Sequence, residues 1–335
     1  MPGEALVIND TTYAGEVASY MITRAVVDAD TINKGCIMVE DGIKKAKTIP
    51  RLEVTNIFQK RAATPISQGS VTVDSAVLTP QDLMMYFEFN PRDFENHWYA
   101  VQMNPKLMDA ELPPTIENFM MMQTMKRSNE FFENAIWRSR TAYDPDGTNL
   151  DPTTKGALAT DSAYLYFDGL IKKALASAST IQVGSPVSLT GGASGNILAK
   201  FQAAYALVPP ALLFKYGVGG LKFLVSYADQ QKYENTLQLL TTFKNQDTTE
   251  KGINKYNGYE VVPCAGIPEH TFFVAIAKPD VDSNLWLGLN STEDANLRLQ
   301  KLQNNSEMYF VKGLFKADTQ IGFADQLVMY TTITN

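Results

Sequence analysis

The stretch Leu112-Pro-Pro-Thr-Ile-Glu-Asn-Phe-Met-Met-Met-Gln-Thr-Met-Lys-Arg-Ser-Asn-Glu-Phe-Phe-Glu-Asn-Ala-Ile-Trp-Arg-Ser-Arg140 decides the fold. Pro113 and Pro114 stand where a helix tolerates proline, in its first turn. No glycine or proline interrupts the residues that follow, so the spacing predicts one helix over 113–140. At about 1.5 Å per residue the rod is roughly 35–40 Å long, beyond the usual three or four turns. A rod of that length can span a flat domain and act as the girder of a repeating assembly.

Placed at 100° steps, the two halves of the rod differ. In the second half Met121, Met125, Phe131, Phe132, Ala135 and Ile136 fall on one side, and Lys126, Arg127, Glu130, Glu133 and Arg138 on the other. In the first half Phe119, Met120, Met121 and Met122 point all round the axis. Such a segment needs cover on more than one side, either from its own fold or from a neighbouring chain. Methionine suits both, because it fills irregular gaps. Phe119, Met120 and Met122 are therefore candidate inter-subunit contacts.

The 335 residues suffice for two lobes or one large domain, and 45% hydrophobic with 10% aromatic content is ordinary for a folded protein. The net charge of −7, from 29 basic and 36 acidic residues, argues against a protein that grips nucleic acid through overall charge. Cys36 and Cys264 match no metal or redox spacing, and a disulfide between them is not expected. The N-terminus has neither the basic start nor the apolar run of a secretory signal, and no apolar run approaches the length of a membrane span.

Residues 1–30 are weakly patterned and read as an arm, with a helix expected around 14–27. From Gly35 the period changes to two, predicting strands over 36–40, 51–58, 70–77 and 84–89. Between Gly42 and Arg61 lie Lys44, Lys45, Lys47, Arg51, Lys60 and Arg61 against Glu53 alone, a local +5 in an acidic chain. This segment is either a solvated basic loop or a protruding hairpin that docks on an acidic neighbour. A helix is predicted over 163–178, and the Gly- and Ser-rich 184–195 reads as a flexible segment and lobe boundary. The second lobe alternates types from 196 onward. Its predicted helices are 196–208, stopped by Pro209 and Pro210, and 228–240; its strands are 221–226, 259–263, 271–277 and 284–289. Strands over 297–302, 307–316 and 319–323 follow, and 326–332 closes the chain. Mixed helices and strands without βα repetition predict an α+β fold.

No residue set points to catalysis, a cofactor or a metal. His97 reads as a packed or capping residue and His270 as a turn residue. Gly192-Ala-Ser-Gly195 has the wrong spacing for a nucleophile elbow, and Gly217-Val-Gly-Gly220 precedes a strand and so fails the dinucleotide-binding context. The Asp144–Asp151 stretch resembles part of a calcium loop but lacks the downstream glutamate, and reads as an Asp/Asn/Gly turn. The sequons at Asn9, Asn290 and Asn304 carry little weight without a secretory signal.

The order of segments resembles the major capsid proteins of tailed bacteriophages, with their HK97-like fold. Leu112–Trp137 is similar to that family's spine helix, and 35–78 lies where the family carries its extended E-loop and flanking strands. Residues 1–34 correspond to the N-terminal arm, 79–195 to a peripheral domain with its spine helix, and 196–295 to the axial domain. Residues 296–325 correspond to the long peripheral strands, including Tyr309–Phe323, and 326–335 to the closing strand. The resemblance implies a structural coat protein, not an enzyme, that forms hexamers and pentamers of an icosahedral or prolate head. That head encloses double-stranded DNA without sequence-specific binding and is assembled in a bacterial cytoplasm. A separate scaffold, portal, protease or decoration protein belongs to the expected partners; cofactors and membranes do not. The basic residues of 42–61 and the apolar first half of the rod are then the expected inter-subunit contacts. The competing readings are an encapsulin-type compartment around a cargo enzyme, and a soluble α+β hydrolase or binding protein using His97 or Asp146.

Overall fold

The rod is the longest helix of the computed structural model, which describes residues 11–14, 29–55, 58, 60–61, 66, 70–90, 114–141, 166–216, 219–239, 255–290, 296–302 and 305–333. A short helix, α1 (Asp30–Asn33), precedes it in the chain; the rod itself is α2 (Pro114–Arg138), 25 residues without a break. The helix expected over 14–27 falls largely outside the described residues.

Two six-stranded sheets flank the C-terminal half of α2. The first is built on one long strand. Its members are β1 (Thr11–Ala14), β2 (Met38–Glu40), β5 (Gln81–Phe89), β11 (Leu285–Asn290), β12 (Asn296–Leu302) and β13 (Asn305–Ile321). One edge of β13 is shared end to end: residues 316–321 pair with β11 and 305–314 with β12. Its other edge pairs with β5 from Tyr309↔Phe89 to Ala317↔Gln81. The two strands expected over 307–316 and 319–323 are thus one strand of 17 residues. A polar residue between the two expected strands is held by neighbours. The Asp318 carboxylate accepts from the Lys173 ammonium (2.9 Å) and from the Thr79 backbone N–H (2.8 Å).

The second sheet runs in the order β6 (Ile181–Gln182), β14 (Val328–Thr331), β10 (Thr271–Ile276), β7 (Leu221–Val225), β9 (Tyr259–Pro263) and β8 (Lys255–Tyr256). It is buried on both faces. Phe273, Ala275, Leu224 and Met329 pack toward α2, with Trp137, Ile136 and Phe132. Phe272, Val274, Ile276, Phe223 and Tyr330 pack in a separate core with Phe201 and Tyr233. Those last two come from α4 (Ile197–Leu207) and α6 (Tyr227–Leu239). Double burial is why the strands read as unbroken apolar runs. Full burial of side chains such as Trp137 and Phe132 contributes roughly 1.5–3 kcal/mol each.

Several boundaries differ from expectation. The helix expected over 163–178 is α3 (Leu170–Ala176) only. Gly169 lies against the end of the rod: its N–H donates to Ser139 O (2.7 Å), and a Cβ there would meet Trp137 O at 2.8 Å. Pro209 and Pro210 do stop α4, but Pro210 also opens α5 (Pro210–Tyr216), since a first-turn proline loses no needed N–H. The 184–195 segment, expected to be flexible, is pinned to the second sheet. Leu189 is buried, its N–H donates to His270 Nδ1 (3.0 Å), and Val187 N–H donates to the Tyr330 hydroxyl (2.8 Å). β11, expected within 196–295, belongs to the first sheet, whereas β14 at the chain's end returns to the second. The Asn257–Gly258 turn between β8 and β9, with φ of 49° and 86°, joins them as a hairpin that the sequence reading did not separate.

Candidate assembly interface

β3 (Lys47–Thr55) and β4 (Ser70–Leu78) form a sheet of two strands and nothing more. Their register runs from Lys47↔Leu78 to Thr55↔Ser70. The root is anchored. Ile43, Ile49, Leu78 and Trp286 make a small core of their own, and Ile43 N–H donates to Leu289 O (3.0 Å). Beyond the root the ribbon leaves the body. Phe58 is 92% exposed and Ile66 72% exposed, both in the connection between the two strands.

The basic residues singled out from the sequence all lie on this excursion. Lys44, Lys45 and Lys47 are exposed at the root, where Lys47 pairs with Glu40. Arg51 lies opposite Asp74 in the strand register. Lys60 and Arg61 are exposed near Phe58. The sequence reading marked the charges of this ribbon but missed Phe58 and Ile66. Isolated hydrophobes in a polar connection carry no periodic signal.

On the rod, the backbones of Phe119 and Met120 lie in α2, and their side chains are outside the described residues; Met122 is 72% exposed. Ser128 Oγ donates to Thr124 O (2.9 Å) and lies 3.6 Å from Met85 Sδ, a contact that seats the middle of the rod over β5. The last two turns, 131–138, are largely buried, and here the helical wheel misplaced Glu133. Expected on the polar side, it is 4% exposed. Its carboxylate accepts from Thr31 N–H (2.8 Å), Thr31 Oγ1 (2.6 Å) and Gly266 N–H (2.9 Å). Trp137 Nε1–H donates to Thr31 Oγ1 (2.8 Å), and Arg138 Nε–H donates to Gly266 O (2.8 Å). One turn of the rod thus fastens α1 and the turn after β9 together.

His97 and the Asp144–Asp151 stretch lie outside the described residues. His270 is a turn residue with φ +63°. Its possible ligand atom lies with those of Asp229 and Glu269 within 4.8 Å of one another. A lysine supplies the positive charge there. Lys232 Nζ stands 3.1 Å from Asp229 Oδ1, 2.5 Å from Glu269 Oε1 and 3.5 Å from His270 Nδ1. The bond to Lys232 holds the Glu269 carboxyl below its usual pKa, and the cluster reads as an ion-pair network. Among the described residues no helix is long and apolar enough to cross a membrane.

No family model and no curated protein matches the chain by sequence. Solved structures do match its fold. A chain in the procapsid of satellite phage P4, a structure that includes the size-determination protein Sid, is similar over 94% of this chain and 98% of that one, with TM-score 0.53 and 10% identity. This is the fold of a phage capsid structure. A chain of the capsid of Myoviridae phage XM1 is similar over 90% of this chain and 92% of that one, with TM-score 0.50 and 12% identity.

Proposed function

We propose that the chain is the major coat subunit of a tailed-phage head. In this reading the β3–β4 ribbon is the E-loop. The first sheet with α2 is the peripheral domain, and the second sheet with α4–α6 is the axial domain. The observation that carries the proposal is the ribbon itself. A lone two-stranded hairpin is at best marginally stable in water, and this one holds Phe58 and Ile66 in solvent. A surface on another copy supplies the missing cover. Lys44, Lys45, Lys47, Arg51, Lys60 and Arg61 steer that docking toward an acidic partner, which a chain of net charge −7 provides. Phe119, Met120 and Met122 on the rod form further contacts between copies. The subunits assemble as hexamers and pentamers around double-stranded DNA, and the protein works as a wall without a catalytic step. Many modest contacts close such a shell through multivalency.

The test is negative-stain microscopy and size-exclusion chromatography of the purified chain, alone and with a candidate scaffold protein. Closed shells are expected. A monomer under every condition would overturn the proposal. Charge reversal at Lys44, Lys45 and Lys47 should slow assembly at low salt; unchanged assembly would remove the electrostatic part.

A further inference from the structure

We propose that Asn257 is a site of spontaneous deamidation, and that its isoaspartyl product frees the edge strand β8 from the second sheet. The inference rests on the fold of one chain and is independent of assembly. Asn257 is the one asparagine of the chain that a glycine follows. Glycine has no Cβ to shield its backbone nitrogen, so that nitrogen reaches the preceding side-chain amide more readily than any other residue's. The fold leaves the pair accessible. Asn257 and Gly258 are both exposed, at the tip of the hairpin between β8 and β9. Asn290, followed by the small Ser291, offers the contrast: it is 1% exposed and held in β11 opposite Lys316.

The turn opens at little cost. With φ of 49° and 86° it takes the two-residue form that Asn-Gly favours. Reaction requires Asn257 to rotate about its Cα–C bond until Cγ faces the Gly258 nitrogen. β8 is only Lys255–Tyr256 and stands at the edge of its sheet, held to β9 by Lys255↔Glu260 and Tyr256↔Tyr259. Openings of such short edge elements lie at the low end of a protein's range of local stabilities. The side-chain restraints act on the strand. The Tyr233 hydroxyl donates to Lys255 O (3.0 Å), and the Tyr256 ring packs edge-on against Phe201 and Phe223, with centroids 5.7 and 5.4 Å away. They keep the strand in place while its tip rotates.

The Gly258 nitrogen gives its proton to hydroxide and attacks Asn257 Cγ. The N–Cγ bond forms, the Cγ–Nδ2 bond breaks, and the leaving nitrogen takes a proton from water to depart as ammonia, which restores the hydroxide. Water then opens the cyclic imide at either carbonyl. Opening at Cγ gives Asp in a normal chain. Opening at the main-chain carbon gives isoaspartate, whose chain runs through Cβ and Cγ and is one atom longer. One water is consumed and one ammonia released, with no change of oxidation state. Asp-Gly suits the same turn as Asn-Gly, so the first product keeps β8 paired. The isoaspartyl chain places an extra backbone atom between Tyr256 and Tyr259, which a two-residue turn cannot hold. The two register pairs then separate, and Tyr256 leaves Phe201 and Phe223.

The experiment holds the purified full chain in mildly alkaline buffer at physiological temperature, native in one sample and in urea in another. Peptides are mapped by mass spectrometry over several weeks, and the aspartyl and isoaspartyl forms of the 255–260 segment are separated by chromatography. In the native chain Asn257 should convert before any other asparagine, less than about 100-fold slower than in urea, with Asn290 intact. Asn257→Gln should stay unconverted at this position. Amide hydrogen exchange across 255–260, read by mass, should be faster in the isoaspartyl chain than in the unconverted one and unchanged in the aspartyl chain. A native chain that keeps Asn257 while another asparagine converts would overturn the proposal, as would conversion more than about 100-fold slower than in urea. Equal exchange in the isoaspartyl and unconverted chains would overturn the release of β8.

Discussion

Replacing Glu133 tests whether the turn of the rod at 133–138 is the fastening of the molecule. Glu133→Ala removes the acceptor of two backbone N–H groups, from Thr31 and Gly266, and of the Thr31 hydroxyl. Each buried donor left without a partner costs about 1–3 kcal/mol. The Thr31 hydroxyl also receives the Trp137 indole N–H, so its reorientation disturbs a second bond. Removing a buried charge returns part of the loss, which leaves an expected destabilisation of about 3–5 kcal/mol. Glu133→Gln separates the contributions. Its amide oxygen keeps the two bonds made by Oε1, whereas its NH₂ meets the Thr31 N–H donor to donor, so about 1–3 kcal/mol is expected. Urea unfolding of the unassembled chain, followed by tryptophan fluorescence and by far-UV dichroism, reads both values. A Glu133→Ala variant within about 1 kcal/mol of wild type, which is one unpaired N–H at most, refutes the reasoning.

Three further outcomes follow from the same geometry. Gly266→Ala should abolish soluble expression or cost more than about 3 kcal/mol, because its Cβ would meet Glu133 O at 2.2 Å and Trp137 Cδ1 at 2.4 Å; a soluble variant with wild-type unfolding midpoint contradicts this. Glu269 has a folded-state pKa lowered by Lys232, so its stabilisation is present above the ordinary carboxylate range and is lost as pH falls through the lowered value. Wild type should therefore exceed Glu269→Gln by less than about 1 kcal/mol at neutral pH, since the side chain is 53% exposed, and the gap should close on acidification; a gap that widens toward low pH is the contrary result. Phe58→Ala should leave monomer stability unchanged, yet raise the concentration needed for assembly about 10- to 100-fold, the equivalent of roughly 1.5–3 kcal/mol of lost burial per copy. Light scattering against concentration measures it, and an unchanged threshold removes Phe58 from the interface.

What was legible in the sequence was local. The absence of breakers between Thr115 and Arg138 fixed the rod, and period-two alternation with glycine punctuation located the ribbon. What was not legible depended on partners distant in the chain. A helical wheel places Glu133 with the charges because nothing near it in sequence reveals that Thr31 and Gly266 bring donors to it. Gly and Ser in 184–195 suggested freedom. Yet Thr190 and Asn196 bond each other, with Thr190 N–H to Asn196 Oδ1 at 2.8 Å, while His270 and Tyr330 hold the segment from across the second sheet. The Asn257–Gly258 turn did have a local signature, an Asn-Gly pair between short strands, and its two positive φ values are what that pair favours.

The interior and exterior of this chain follow opposite rules. Inside, a buried carboxylate is given three donors and an aromatic N–H completes the chain of bonds. Outside, Phe58 and Phe214 stand 92% and 94% exposed on separate elements, the ribbon and α5, and Met122 is exposed on the rod. A chain selected only to be a stable monomer gains nothing from phenylalanine at such positions, because each apolar side chain contributes only when water leaves it. Scattered single hydrophobes are ordinary on a surface, but these stand on the ribbon, on the rod and on the helix at the outer edge of the second core. Those are the elements that a subunit meeting copies of itself on several sides would use. In the coat subunit proposed above, stiffness at the Glu133 junction and exposure at the extremities are two parts of one design: a rigid centre fixes the angles at which weak outer contacts meet, and fixed angles let such contacts close a surface.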